Sequence, residues 1–472
     1  MTRAFLVAML AAVLLILQPA VPQRLGDGAF SAAAWADDDD DDGGSDDDDD
    51  DGGGAGHSSR DDDDDDDDGG GGGGSRPSGS SGGGFLDTLF GTQRQPAAPP
   101  PAPAPPSAVP DEIVTLALDA ADLATLLAQG FTVIEERPLP GVGTVSRRLR
   151  IPSDLTLADA RTAARALPSG QDADFNHFYR PEQVVEGQDV CPGPDCPDSV
   201  LRDWPHGLPR DTVCGPGAPI GMIDTGINAD HEAFAGARLE VTRLGRDVLE
   251  PSRAIHGTAV AALLVGQPGT RAPGLVPGTR VVAIDAFHRV GGDERADVFS
   301  LIEGLDILAS EGVSVINLSL AGPPNSVLEE VVERLLSEND ILLVASVGNA
   351  GPAAEPAYPA AFPPVIAVTA IDREGRVYRR AVRGAHVDLA APGVEVWTAA
   401  SVSGARWKTG TSFAVPFVSA AAALLRAERP DLGAPQVAEE LLLRALDLGD
   451  PGRDDVFGAG LVDLDALCGG PL

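Results

Sequence analysis

The chain has 472 residues, 43% apolar, 22% charged and 4% aromatic, with 56 Gly, 40 Pro and a formal charge of −38. That length allows two or three domains, and the clustering of Gly and Pro excludes a single uniform fold. The acidity argues against nucleic acid as the main partner, because phosphate recognition needs a basic surface.

In chain order, Arg3 is followed by an unbroken apolar run over 4–17, the length of a signal-peptide core and short for a membrane span. We read 1–36 as an export signal, with Ala34-Trp35-Ala36 as a small-x-small cleavage site and an uncleaved anchor as the alternative. Export implies a secreted or periplasmic protein with no stable membrane span after processing. It also gives Cys191, Cys196, Cys214 and Cys468 an oxidising compartment, where they can pair in three ways.

Residues 37–68 hold 20 Asp and one Arg, half of the net charge, and a glycine run follows at 69–74. Such a stretch cannot bury a core, so a solvated acidic spacer is expected, with loose divalent-ion binding as the alternative. The Pro-rich stretch 96–110 completes a linker over 37–110.

A small domain is expected over 111–180. Strand-like runs at 112–118, 131–135, 145–151 and 173–179 alternate with helical patterns, one opened by Asp119 and closed by Gly130, the other over 157–166 and capped by Thr156. The order β-α-β-β-α-β is the ferredoxin-like pattern, which by itself carries no function. After a Cys-containing linker over 181–217, the texture becomes α/β over 218–466. Val- and Ile-rich runs at 218–223, 281–284, 313–318, 341–345 and 365–370 alternate with helical patterns. This predicts a doubly wound, mostly parallel sheet with helices on both faces and ligands at the carboxyl ends of its strands.

Four motifs fall where strands should end and helices begin. An apolar strand ends in Asp224-Thr225-Gly226; His256-Gly257-Thr258 opens a helix pattern; a buried strand runs through Ser346 and Gly348 into Asn349; and Gly410-Thr411-Ser412 leads into an apolar helix, where Ser412 alone reads equally well as an N-cap. Asp-Thr-Gly is also an aspartic-protease signature, but that chemistry needs a second carboxylate of the same kind, and none is present.

The order Asp224, His256, Asn349, Ser412, with its flanks, resembles the subtilisin-like serine proteases, the subtilases, over roughly 218–466. Ile316-Asn317-Leu318-Ser319-Leu320, Tyr358-Pro359 and 387–392 resemble further family segments. The resemblance implies an endopeptidase acting on polypeptides. Ser412 would attack the peptide carbonyl, His256 would move the proton, Asp224 would orient the ring, and Asn349 would stabilise the oxyanion. Ser319, Leu320, Ala321, Gly322, Ser346 and Gly348 would bind substrate. The resemblance also implies that 111–180 is a propeptide that assists folding and then blocks the site, so the chain's own small domain is an expected partner; a permanently attached accessory domain is the alternative.

Three departures stand out. Phe413 follows the nucleophile where many subtilases have Met; Ala321-Gly322 stands where Gly-Gly is usual; and His231-Glu232-Ala233 lacks a carboxylate that often binds calcium. No cofactor is expected, and calcium stays an open alternative. Small residues at Ser346, Gly348 and Ala357 predict an apolar side chain before the cut bond. The contrasting function is an inactive subtilase-like scaffold in which the acidic tail acts as a binding surface.

Overall fold

The computed structural model describes residues 104–182, 185–186, 214–245 and 249–464. The export signal, the Asp blocks, most of both linkers and Cys191, Cys196 and Cys468 lie outside these residues. Cys214 is buried and disulfide-bonded.

The first part forms β1 (Ala108–Leu116), α1 (Ala120–Ala128), β2 (Thr132–Leu139), β3 (Thr144–Arg150), α2 (Leu157–Arg165) and β4 (Asp174–Pro181). The caps are those expected: Asp119 accepts from the Ala121 and Asp122 N–H groups at 2.9 and 2.8 Å, and Thr156 from that of Asp159 at 3.2 Å. Gly130, at φ +95°, takes the left-handed turn after α1. The sheet order is β2-β3-β1-β4, all antiparallel. β1 begins at Ala108, inside the stretch expected to be linker, and its pairing with β4 is irregular between Ala108 and Ile113, which is where Pro110 sits.

The two faces of this small sheet do different things. Ile113 and Leu149 face α1 and α2 and share a core with Leu126, Phe131 and Ala164. Val114, Leu116, Leu139 and Val142 belong instead to the core of the second part. Alternation along β1 therefore serves two cores.

The second part is built on seven parallel strands in the order Leu389–Pro392, Val365–Ile371, Leu342–Ser346, Val315–Leu318, Ile220–Asp224, Arg280–Asp285 and Arg238–Arg243. The five strands from Val365–Ile371 to Arg280–Asp285 are buried almost throughout, as a sheet covered on both faces requires. The helices Val298–Ser310 and Ser326–Ser337 pack together, as do His256–Val265 and Val415–Glu428. The α/β class and the parallel sheet agree with the sequence reading. Arg238–Arg243 and Asp293–Asp297 are strands that no apolar run announces: the first is mostly exposed, and the second is held by its neighbours.

The two parts meet along β4. Its residues Phe178 and Tyr179 pair with Asp297 and Ala296 on one side, while Arg180 and Pro181 pair with Ala321 and Leu320 on the other, all antiparallel. Beside it, the two helices that start at Val298 and Ser326 have N–H groups bonded by Asn176, which accepts from Phe299 at 3.3 Å, and by Asp174, which accepts from Ser326 at 3.1 Å. Side chains of the small domain thus satisfy helix-terminal donors of the large one, and the Asp174 carboxylate also meets the positive end of a helix dipole.

Candidate active site

Asp224 ends the strand Ile220–Asp224, and its Oδ1 accepts from the Thr225 N–H at 2.7 Å. The same oxygen lies 2.6 Å from His256 Nδ1, and both residues are buried. His256 is the first residue of its helix, and Gly257 explains how that helix comes so close: a Cβ on Gly257 would stand 2.4 Å from the Thr225 carbonyl. Glycine here is a packing requirement, and the Gly257 N–H donates to Thr225 Oγ1 at 3.0 Å.

Ser412 is fully buried in a short 3-10 turn, Thr411–Phe413, ahead of the helix that starts at Val415. It is therefore not an N-cap, and the isolated-motif reading is corrected. The hydroxyl of Ser412 donates to the Ser319 carbonyl at 3.3 Å, and Ser319 Oγ donates back to the Ser412 carbonyl at 3.0 Å. Asn317 donates to Ser319 Oγ at 3.0 Å and accepts from Ser419 at 3.1 Å, which ties the turn to the sheet. His256 Nε2 is buried without a hydrogen-bond partner among the described residues, and the rings of His256 and Phe413 lie 5.7 Å apart.

Asn349 follows the strand Leu342–Ser346. Its Oδ1 accepts from both the N–H and the hydroxyl of Thr411, each at 3.1 Å. Because a backbone N–H can only donate, this contact fixes the amide with its oxygen toward Thr411 and leaves Nδ2 to donate elsewhere. Gly348 before it sits at φ +100°, where a side chain would be strained.

Of the residues expected to bind substrate, Leu320 and Ala321 lie along β4, and Gly322 faces the Tyr179 ring so closely that a Cβ would stand 2.4 Å from it. The Tyr179 hydroxyl donates to the Pro323 carbonyl at 2.8 Å. Ser346 is buried at the strand end. The expected site residues converge, and the cleft they form is occupied by the end of the small domain.

Two residues that the sequence reading missed belong here. Glu182, just past β4, accepts from the Asn349 N–H at 2.8 Å, and Arg380 donates to the Asn349 carbonyl at 3.1 Å. Burial pushes the Glu182 carboxyl above its ordinary range, against the pull of the Asn349 N–H and of the His256 and Arg380 charges. Behind Asp224, the Asp285 carboxyl is raised to about 6, chiefly by burial, although it accepts from Ser252 and from the Phe287 N–H. In the segment that departs from the usual calcium-binding pattern, Glu232 accepts from the Gly404 N–H at 2.6 Å.

Residues 215–460 match the family described as Peptidase_S8, the subtilase family, which is half of the chain. The chain belongs to the subtilase family. It is 31% identical over 278 residues to subtilisin DY of Bacillus licheniformis, covering 56% of this chain and 97% of that one. It is 30% identical over 273 residues to the minor extracellular protease Epr of Bacillus subtilis strain 168, where the match covers 57% of this chain and 40% of the relative. Among solved structures it resembles fervidolysin of Fervidobacterium pennivorans, a keratinolytic enzyme related to subtilisin, with a TM-score of 0.64 at 22% identity, over 78% of this chain and 62% of that one. That likeness concerns fold alone, and it extends beyond the segment matched by the family. As a subtilase, the chain falls in the serine protease class of hydrolases. Among its described residues, no helix is long and apolar enough to cross a membrane.

Proposed function

We propose that this subtilase is an exported serine endopeptidase made as a zymogen. The observation that carries the reading is the convergence of Asp224, His256, Ser412 and Asn349, four side chains far apart in sequence, around one rim of the parallel sheet. A serine hydroxyl is a weak nucleophile at neutral pH and needs a base. His256 Nε2 has no hydrogen-bond partner among the described residues, and rotation of the Ser412 side chain away from the Ser319 carbonyl would carry Oγ toward it. Contacts of this kind are often long before substrate arrives. Asp224 on Nδ1 holds the ring in the tautomer that leaves Nε2 as acceptor, and it stabilises the imidazolium formed when Ser412 attacks. The oxyanion is received by Asn349 Nδ2 and the Ser412 N–H, held in place before the reaction so that little rearrangement is needed as charge develops. His256 then delivers its proton to the leaving amine, and water hydrolyses the acyl-enzyme by the same route in reverse.

The small domain at 111–180 acts on this reading as a propeptide, with 218–466 as the catalytic domain. Support comes from β4, which lies between Asp293–Asp297 and Leu320–Ala321 as an added strand and so excludes other peptides from that cleft. Export is supported by the apolar run over 4–17 and by the disulfide at Cys214. A fluorophosphonate probe tests the reading: labelling of the parent protein, lost in Ser412→Ala, supports it, and equal labelling of both proteins or of neither refutes it. The zymogen reading is tested by N-terminal sequencing of the same pair. Cleavage near 180–200 in the parent alone is expected, and identical N-termini refute it.

A further inference from the structure

We propose that the pocket receiving the side chain before the cut bond selects glutamate, with Arg380 as its specificity-determining residue, and that the protein cuts itself on the carboxyl side of Glu182. The inference rests on the protease reading above and names the substrate class of that same site.

The register locates the pocket. In the antiparallel pairing of β4 with Leu320–Ala321, Arg180 faces Ala321 and Pro181 faces Leu320. The next step places Glu182 opposite Ser319, whose carbonyl accepts from the Ser412 hydroxyl. Further along, Val185 pairs with Thr409 and Glu186 with Lys408, in the strand Ala405–Thr409 that leads directly into Gly410-Thr411-Ser412. The end of β4 therefore lies on Leu320–Ala321 as an extended peptide would, with Glu182 facing the residue whose carbonyl holds the Ser412 hydroxyl.

Side chains anchor it there. The Tyr179 ring is fully buried on Gly322, and Arg180 makes a two-pronged ion pair with Asp293 at 2.7 and 2.9 Å. The Glu182 carboxylate enters the space left by Gly348. Its Oε1 lies 3.4 Å from where a Cβ on Gly348 would be, as do the Ala357 and Val382 methyl groups, while Oε2 takes the Asn349 N–H. The Ala357 and Val382 methyl groups make its walls apolar, but instead of the apolar side chain expected from the sequence it offers two polar features suited to an anion. One is the N–H at its end; the other is the Arg380 guanidinium, tied to the far side of the same residue through the Asn349 carbonyl and close enough to act on the Glu182 charge. A carboxylate in such a place loses water and needs both a donor and an opposite charge. An aromatic side chain would leave the N–H unpaired, and a lysine would meet Arg380 as a like charge.

In the proposed step, Ser412 Oγ adds to the Glu182 carbonyl and passes its proton to His256. The C–N bond then breaks, and the amine of the following residue leaves with that proton. Water next hydrolyses the Glu182 ester, giving a free carboxylate and restoring Ser412.

The test uses the full chain and its activated form. The N-terminus of the processed protein is expected to be Gln183, and Glu182→Lys should slow its appearance at least about tenfold. With peptides built on Tyr-Arg-Pro-X-Gln-Val-Val-Glu, kcat/KM should be highest for X = Glu, at least about tenfold above Gln, Phe and Lys. Arg380→Gln should reduce the Glu to Gln ratio about tenfold, whatever it does to the overall rate, and Arg380→Lys should retain part of it. A preference for Phe or Lys, a ratio unmoved by Arg380→Gln, or a processed N-terminus elsewhere overturns the inference while fluorophosphonate labelling leaves the protease reading standing. Loss of labelling together with failure to cut any peptide overturns both.

Discussion

The two domains bury their surfaces in opposite ways. The large one covers both faces of its sheet with its own helices, so its central strands are nearly uniform apolar runs. The small one covers one face with α1 and α2 and gives the other, through Val114, Leu116, Leu139 and Val142, to its neighbour. With only nine buried side chains in its own core, it is the part whose structure depends on being docked. Stability in the large domain is internal, whereas in the small one it is conditional. On the zymogen reading proposed above, that suits an inhibitor meant to be discarded after a cut.

This contrast can be broken most severely at the proposed nucleophile. Ser412→Ala should lower peptide hydrolysis by about 10^6-fold, the scale seen when the serine of such a set is removed. It should leave the small domain covalently attached and docked, which gel analysis and hydrogen exchange will show; release of the small domain in this variant would mean that another agent cuts it. On that uncleaved background, two leucines of equal chemistry separate the two kinds of burial. Leu126→Ala and Leu116→Ala should each cost about 2 to 5 kcal/mol. The first should raise amide exchange within the small domain alone, while the second should also expose the docking strands Asp293–Asp297 and Leu320–Ala321. Identical exchange maps would argue against two separate cores.

A smaller effect is expected at Asn349. Its replacement by Ala should cut kcat by roughly 10^2- to 10^3-fold with little change in KM, since the donor is needed only as charge develops. A change confined to KM would place Asn349 in ground-state binding instead. The mildest test concerns the large domain's interior. Asp285 has a native pKa of about 6 against 3.8 for its ordinary value, so the folded state holds the proton more tightly. Its contribution to stability is present below about pH 4, is lost as the pH rises through about 6, and is constant above that. Asp285→Asn should therefore gain up to about 3 kcal/mol relative to the parent between pH 4 and 7, offset by a weaker bond to Ser252. Thermal unfolding across that range should show the difference growing with pH; a difference that shrinks would reverse the assignment.

The legibility of the molecule follows the same division. In the large domain, the strands around Met222, Val315 and Val344 were readable because burial on both faces writes itself as an apolar run. The helix at His256 was readable because its small residues must fit against Thr225. In the small domain, Asp119 and Thr156 announced both helices through local cap chemistry. Arg238–Arg243 and Asp293–Asp297 were not readable, since polar edge strands are held by partners that a local window does not contain. The four side chains proposed as catalytic were legible as flanked motifs, although Ser412 alone looked like a cap.

The chain's composition and local patterns determined its division into acidic leader, small β-α-β-β-α-β unit and parallel α/β domain, because periodicity, caps and charge runs act over a few residues. The docking of β4 between two strands of the other domain, the need for Gly322 beneath Tyr179, and the meeting of Glu182 with Asn349 across 167 positions of sequence were decided only in three dimensions. Each depends on register, close approach or charge between distant segments, and no one of those segments carries the others' positions.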